Sequence, residues 1–140
     1  MHRGGYAWRL VIPAVEYRVT RMLAIAAEFQ PSILEEVTGH LGDAAISVKA
    51  IAADASGLRV FPVDVERAKE VLTDAGYFCQ VVEVLHIKVA NQAGTFHEAM
   101  KRLRMAEAKI ISSFGMGIGD EGAIYVRVDD LERAKAALDD

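Results

Sequence analysis

The sequence predicts an α+β protein made of two βαββαβ units in tandem, each an antiparallel sheet with both helices on one face, the ferredoxin-like arrangement. Three observations lead there. The first is duplication: Asp64-Val65-Glu66-Arg67-Ala68-Lys69-Glu70-Val71-Leu72 returns as Asp130-Leu131-Glu132-Arg133-Ala134-Lys135-Ala136-Ala137-Leu138, an offset of 66. Leu58 and Val60 return with it as Ile124 and Val126, while Val63 meets Asp129, a mismatch. The second is an earlier offset of 62, which pairs Leu34 with Phe96, Glu36 with Glu98, Leu41 with Leu103, Ala44 with Ala106 and Val48 with Ile110. The four-residue difference falls where the second half carries Gly115-Met116-Gly117-Ile118-Gly119-Asp120-Glu121-Gly122 and the first only Asp54-Ala55-Ser56-Gly57. One insertion in a hairpin loop accounts for it, because loops tolerate changes of length. The third is that short apolar runs and helical spacings alternate in the same order in both halves.

Each element has its own reason. Residues 22–27 are a short apolar run, hence a buried strand. Pro31 opens a helix; Ser32 with Glu35, and Thr95 with Glu98, have the capping-box spacing. Ile33, Leu34, Val37 and Leu41 share a helical face, as do Phe96, Met100 and Leu103. A strand over 46–52, a turn at Ser56-Gly57 and a strand over 58–63 follow. Residues 65–74 form the second helix, stopped by Gly76. Residues 77–82 are a fourth strand running into 84–89, the first strand of the second copy. This divides the chain into an extension over 1–18, a first unit over 19–82 and a second over 83–140. The second copy reaches Asp140 directly after its second helix, without a fourth strand of its own. Residues 8–12 or 17–20 are surplus to the first copy and apolar enough to cover the open edge, which would otherwise invite aggregation.

The 140 residues are one ordinary domain or two small ones, and 52% apolar with 26% charged is globular composition. A net charge of −4 argues against binding nucleic acid by phosphate neutralisation, and Lys101, Arg102 and Arg104 read as a solvated helix face. The single cysteine, Cys79, excludes an internal disulfide and a cysteine-based zinc cluster; within Tyr77-Phe78-Cys79-Gln80-Val81 it reads as a small buried hydrophobe. The longest apolar runs, 10–15 and 22–27, fall far short of the ~20 residues a membrane span needs. Pro13, Glu16 and Arg18 interrupt any signal-like stretch, so the expectation is a soluble, cytoplasmic chain with no membrane partner. His2, His40, His86 and His97 include no i, i+4 pair, so no metal site is expected. The glycine-spaced run from Gly115 lacks the Lys-Ser/Thr of a phosphate loop and is flanked by strands, so it is expected to be a long flexible hairpin, and no cofactor is expected.

One segment narrows the function. Val89-Ala90-Asn91-Gln92-Ala93-Gly94-Thr95-Phe96 resembles the signature of ACT domains: a strand, Asn or Asp, one residue, Pro or a small residue, Gly, one residue, then a large apolar residue opening the helix. In the first copy, Glu28-Phe29-Gln30-Pro31-Ser32-Ile33-Leu34 keeps the Pro and the Leu but has Ser32 for the Gly and Phe29 for the Asn. The resemblance covers residues 19–138 and is closest to small proteins made of two ACT domains and nothing else. It implies a non-catalytic regulatory protein that binds an amino acid at an interface between two ACT units. The same resemblance implies a ligand site at Asn91, Gln92, Ala93, Gly94, Thr95 and Phe96, with Ser112 and Ser113 on the strand that lines the pocket. A homo-oligomer and an enzyme partner, not identified by the sequence, are the implied associations.

The chemistry of the segment agrees with binding. A helix N-terminus offers unpaired N–H groups to a carboxylate. Gly94 permits close backbone approach, and Asn91 supplies both donor and acceptor to a zwitterion. The competing readings are a scaffold that has lost its ligand, or a regulatory subunit of an amino-acid metabolic enzyme. An enzyme is disfavoured because no paired carboxylates, Cys–His pair or Ser–His–Asp set is evident. An RNA-binding sheet would need aromatics alternating on its central strands, which here read Met-Leu-Ala-Ile and His-Ile-Lys-Val.

Overall fold

The computed structural model describes residues 6–12, 15–26, 31–55, 57–90 and 93–139. Their order is β1 (Arg9–Ile12), β2 (Val15–Ala26), α1 (Pro31–Asp43), β3 (Val48–Asp54), β4 (Gly57–Pro62), α2 (Val65–Asp74), β5 (Phe78–Ala90), α3 (Thr95–Met105), β6 (Ile110–Ile118), β7 (Glu121–Val128) and α4 (Leu131–Asp139). The chain divides into two compact units, Arg21–Val82 and a second made of Met1–Thr20 with Glu83–Asp140.

In the unit Arg21–Val82 the strands lie in the order β3-β4-β2-β5. β4 runs antiparallel to both neighbours, Val60 standing opposite Leu23 on one side and Ile51 on the other. Leu23 and Ile25 of β2 and Leu58 and Val60 of β4 are buried against Ile33, Val37 and Leu41 of α1 and Val65, Ala68 and Leu72 of α2. These are the helical faces read from spacing. Cys79 belongs to this core, and burial pushes its thiol above the ordinary range. The α2 helix starts where the Asp64 carboxylate accepts from the Arg67 N–H at 3.1 Å. It ends at Gly76, whose φ of 97° lets the Tyr77 N–H reach back to the Leu72 carbonyl at 3.0 Å.

The unit of Met1–Thr20 and Glu83–Asp140 repeats the pattern in permuted order. Its strands lie as β2-β5-β7-β6, with β1 on the outer side of β2. Val15, Tyr17 and Val19 of β2 join Leu85, Ile87 and Val89 of β5 and Val126 of β7 beneath Ala99, Leu103, Ala134 and Leu138 of α3 and α4. The fourth-strand position of the second repeat is thus filled by residues 15–20, and β1 flanks it.

Three local expectations differ from the structure. Ser32 is the second residue of α1 and Thr95 the first of α3, so neither is a capping-box N-cap. Gly94 takes that place in α3, because its left-handed backbone starts the helix one residue earlier than the box requires. The run from Gly115 is the expected long hairpin, but the insertion lies in its strands and not in its loop. β6 and β7 are each two residues longer than β3 and β4, and their hairpin closes on the two-residue turn Gly119-Asp120. Gly119, with φ 60°, supplies the positive φ that such a turn requires at its first position. The four extra residues therefore lengthen the ladder, because each of them stands opposite a partner on the other strand. Finally, the first strand begins at Val15, seven residues before the apolar run. Alternation of Val15, Tyr17 and Val19 with Glu16, Arg18 and Thr20 is a strand with one polar face, which a search for continuous apolar runs misses.

A polar latch ties β2 to the last helix. The buried Tyr17 hydroxyl donates to Asp139 Oδ1 at 2.5 Å, and Arg9 Nε reaches the same oxygen at 3.1 Å. Burial holds the Tyr17 hydroxyl well above the ordinary tyrosine range; the Asp139 carboxylate adds to this and Arg9 opposes it. Tyr17→Phe is expected to lower stability by about 1.5 kcal/mol, the scale of a hydrogen bond to a charged group. The latch also fixes a sign. As pH climbs past about 10, the unfolded chain releases a tyrosine proton that native Tyr17 retains, so stability falls with rising pH. Urea titrations from pH 8 to 11 should show this fall, shallower in Tyr17→Phe.

Candidate functional site

The end of β5 leads through the loop ahead of α3, which is where the sequence places the ligand. Asn91 and Gln92 lie outside the described residues; Ala93 and Gly94 form the turn that follows. Gly94 is the N-cap, with φ 90° and ψ −10°, and has no side chain of its own to cap the helix. Its carbonyl accepts from the Glu98 N–H at 3.0 Å, the first bond of α3. The N–H groups of Thr95, Phe96 and His97 precede that bond, at the positive end of the helix.

Two contacts hold this turn. Thr95 Oγ1 donates to the Ala90 carbonyl at 2.8 Å, tying the helix start to the strand end. The Phe96 ring lies on β7 at Gly122, where an added Cβ would stand 2.8 Å from Phe96 Cζ and 3.1 Å from Val89 Cγ2. Gly122 is therefore what admits the ring. Glu98 sits in the first turn of α3, with Lys101 Nζ at 3.5 Å and Arg102 Nε at 3.8 Å. His97 is exposed.

Ser112 and Ser113 belong to β6, opposite Arg127 and Val126, so they point to different sides of the sheet. Ser113 shares the helix-facing side with Gly117, whose partner is Gly122, but stands four residues away along the strand, roughly 13 Å. Within this unit the loop residues Ala93, Gly94, Thr95 and Phe96 come together, and the serine pair is set apart from them.

Sequence reasoning missed the other face of this sheet. His86, Tyr125 and Phe114 stand side by side on β5, β7 and β6. His86 and Tyr125 stack with centroids 4.2 Å apart, and Tyr125 and Phe114 stack at 5.1 Å. Trp8 meets His86 edge-on at 4.9 Å, with the Arg18 guanidinium 4.7 Å and the Lys88 ammonium 4.4 Å from its centroid. Burial raises the Tyr125 hydroxyl above its ordinary range, and Arg18 partly offsets that. The signal was the two-residue turn: once Gly119-Asp120 closes the hairpin, Phe114 must face Tyr125.

A groove of about 480 Å³ lies along α3 and α4, lined by Glu98, Lys101, Arg102, Met105, Ala106 and Ala137. Among the described residues no cluster of His, Cys, Asp or Glu could hold a metal ion, and no helix is long and apolar enough to cross a membrane.

Residues 18–139 match the family described as ACT domain pair. Among solved structures, protein BT0572 from Bacteroides thetaiotaomicron is similar with TM-score 0.77, 22% identity and 86% of each chain covered. The regulatory subunit of aspartate kinase from Thermus flavus is similar with TM-score 0.63 and 18% identity, over 89% of this chain and 92% of that one. Escherichia coli aspartokinase III in complex with lysine and aspartate is similar with TM-score 0.59 and 16% identity, over 99% of this chain and 33% of that one. No curated protein matches the chain in sequence.

Proposed function

This chain belongs to the ACT domain pair family, and from that premise we propose that it is a non-catalytic regulatory protein whose ligand is an amino acid, bound where two ACT units meet. The observation that carries the reading is the start of α3. A glycine N-cap at φ 90° opens the helix with no side chain of its own at the terminus, and a carboxylate is the group that a helix N-terminus favours. Asn91, Gln92, Ala93, Gly94, Thr95 and Phe96 are proposed as the ligand-contacting segment, with Ser112 and Ser113 contributing across an interface. That last assignment agrees with their separation from the loop inside one unit. A ligand gripping two units favours one arrangement of them over others, which converts binding into a signal. The receiver is proposed to be an enzyme of amino-acid metabolism, and the working form a homo-oligomer in the cytoplasm.

A second reading, a partner-binding scaffold without a ligand, is favoured by Ser32. It lies inside α1, where the signature places its glycine.

A thermal-shift panel of the twenty amino acids separates the two. A ligand at 100 times its dissociation constant adds about 2.7 kcal/mol, a rise of several degrees. The expected result is a response to one amino acid or a few related ones, abolished by Gly94→Val. Valine at this φ is strained by about 1–3 kcal/mol, so the variant is compared with its own ligand-free melt. A flat panel overturns ligand sensing and leaves the scaffold.

A further inference from the structure

Resting on the reading that a separate protein receives the signal, we propose where that protein is held. The end of α3, the start of β6 and the groove along α3 and α4 form a docking surface for an acidic amphipathic helix of the partner. The duplication supplies an internal control, because one fold is built twice and what only one copy carries is not needed to fold it. Leu41 of α1 and Leu103 of α3 are both fully buried. Around them, Gly39-His40-Leu41-Gly42-Asp43 of the first copy stands as Lys101-Arg102-Leu103-Arg104-Met105 in the second.

Charge and hydropathy differ together. Over 101–111 lie Lys101, Arg102, Arg104 and Lys109 with one acid, Glu107; over the matching 39–49 lie only Lys49 and Asp43. Met105 is 69% exposed and Ile111 is 55% exposed, where the first copy has Asp43 and Lys49. Arginines in a last turn favour the negative end of a helix, yet α1 ends with His40 alone. Helix stability therefore does not ask for Lys109, Met105 or Ile111. Arg104 and Lys109 have no carboxylate partner among the described residues. Exposed apolar groups rimmed by charge are the composition of an interaction surface.

Shape and sign select the occupant. Met105, Ala106 and Ala137 give the groove of about 480 Å³ its apolar lining, with Lys101 and Arg102 beside them. A trough along two packed helices takes a third helix by its apolar face. The basic residues around it are complementary to carboxylates flanking that face. An exposed methionine adapts to the side chains it meets. Pairing with another strand is disfavoured at this end, because the register of β6 slips between Ile110 and Ser112 and leaves Ile111 as a bulge. Side chains, not a strand, are what this surface accepts.

The probe is a fluorescein-labelled synthetic helix of Glu, Leu and Ala with its leucines on one face, titrated by anisotropy and mapped by amide NMR shifts. The expected result is saturable binding that weakens with added salt, with shifts concentrated over 98–111 and around Ala137. Arg104→Glu with Lys109→Glu, and separately Met105→Ala, should each weaken binding about tenfold and leave the circular dichroism spectrum unchanged. Val63→Ala, at a 64% exposed apolar residue of the other unit, should change nothing. Absence of binding at millimolar peptide overturns the proposal, as do shifts centred elsewhere or variants that bind like the unmodified chain. Equal binding of a peptide with Lys for Glu, or tighter binding of an oligothymidylate, overturns it too. The amino-acid melting panel separates this from ligand sensing. A response to an amino acid without peptide binding overturns the docking surface alone, and peptide binding with a flat panel overturns sensing alone.

Discussion

A chain that begins at Arg21 is expected to lose the second ACT unit and keep the first. The cut removes Val15, Tyr17 and Val19, all at most 3% exposed, from the core that packs β5 and β7 under α3 and α4. Burying each such side chain is worth about 1.5–3 kcal/mol, so the three together rival the ~5–15 kcal/mol that keeps a whole domain folded. The Tyr17–Asp139 bond goes with them. Limited proteolysis should release fragments from residues 83–140 while 21–82 stays resistant, and a thermal melt should lose one of its contributions. A peptide of residues 6–20 added in trans should restore protection, because it supplies the missing strand whole. Resistance of residues 83–140 in the Arg21 chain would contradict the core described here.

Gly122→Val is expected to damage both stability and the start of α3, and Phe96 decides how. A side chain at position 122 enters the space held by the Phe96 ring, 2.8 Å from Cζ, and presses on Val89 Cγ2 at 3.1 Å. Overpacking of this kind costs about 1–3 kcal/mol, with the upper end expected where a β-branched side chain must enter between strand and ring. Phe96→Ala alone is expected to cost about 3 kcal/mol or less, since the ring is only partly buried. The double variant should be more stable than the sum of the two losses predicts, because removing the ring makes the room that valine needs. Urea denaturation of the four proteins closes this cycle. Simple additivity would mean that the ring leaves Gly122 freely, and that the start of α3 is not braced on β7.

How much of this was legible beforehand depended on the kind of signal. The repeat gave the tandem architecture, because Asp64 to Leu72 and Asp130 to Leu138 are copies that keep the same face of α2 and α4 inward. Residues 17–20 stand among the candidates for the open edge, but the alternation of Glu16, Arg18 and Thr20 concealed that they run on into the apolar run from Met22 as one strand. The resemblance located the turn at Gly94, and the structure supplies its left-handed backbone. Phe96 against Gly122 was invisible in sequence because they are 26 positions apart, and only the register of β5 and β7 joins them. Likewise, Trp8, His86, Tyr125 and Phe114 come from four separate strands or strand ends, and no local pattern announces a row of rings assembled through pairing.

The permuted second unit also bears on how the chain is made. Residues 15–20 leave a ribosome well before β5, β7 and α4, against which they pack. At ~5–20 residues per second, that interval is roughly 6–24 seconds. Throughout it an alternating strand with Val15, Tyr17 and Val19 on one side has no partner from its own unit, while 21–82 is already long enough to fold. Closure therefore joins Tyr17 to Asp139, 122 positions apart, in one late step with a large loop to close. That makes residues 15–20 of β2 the segment whose protection by a chaperone during synthesis would matter most.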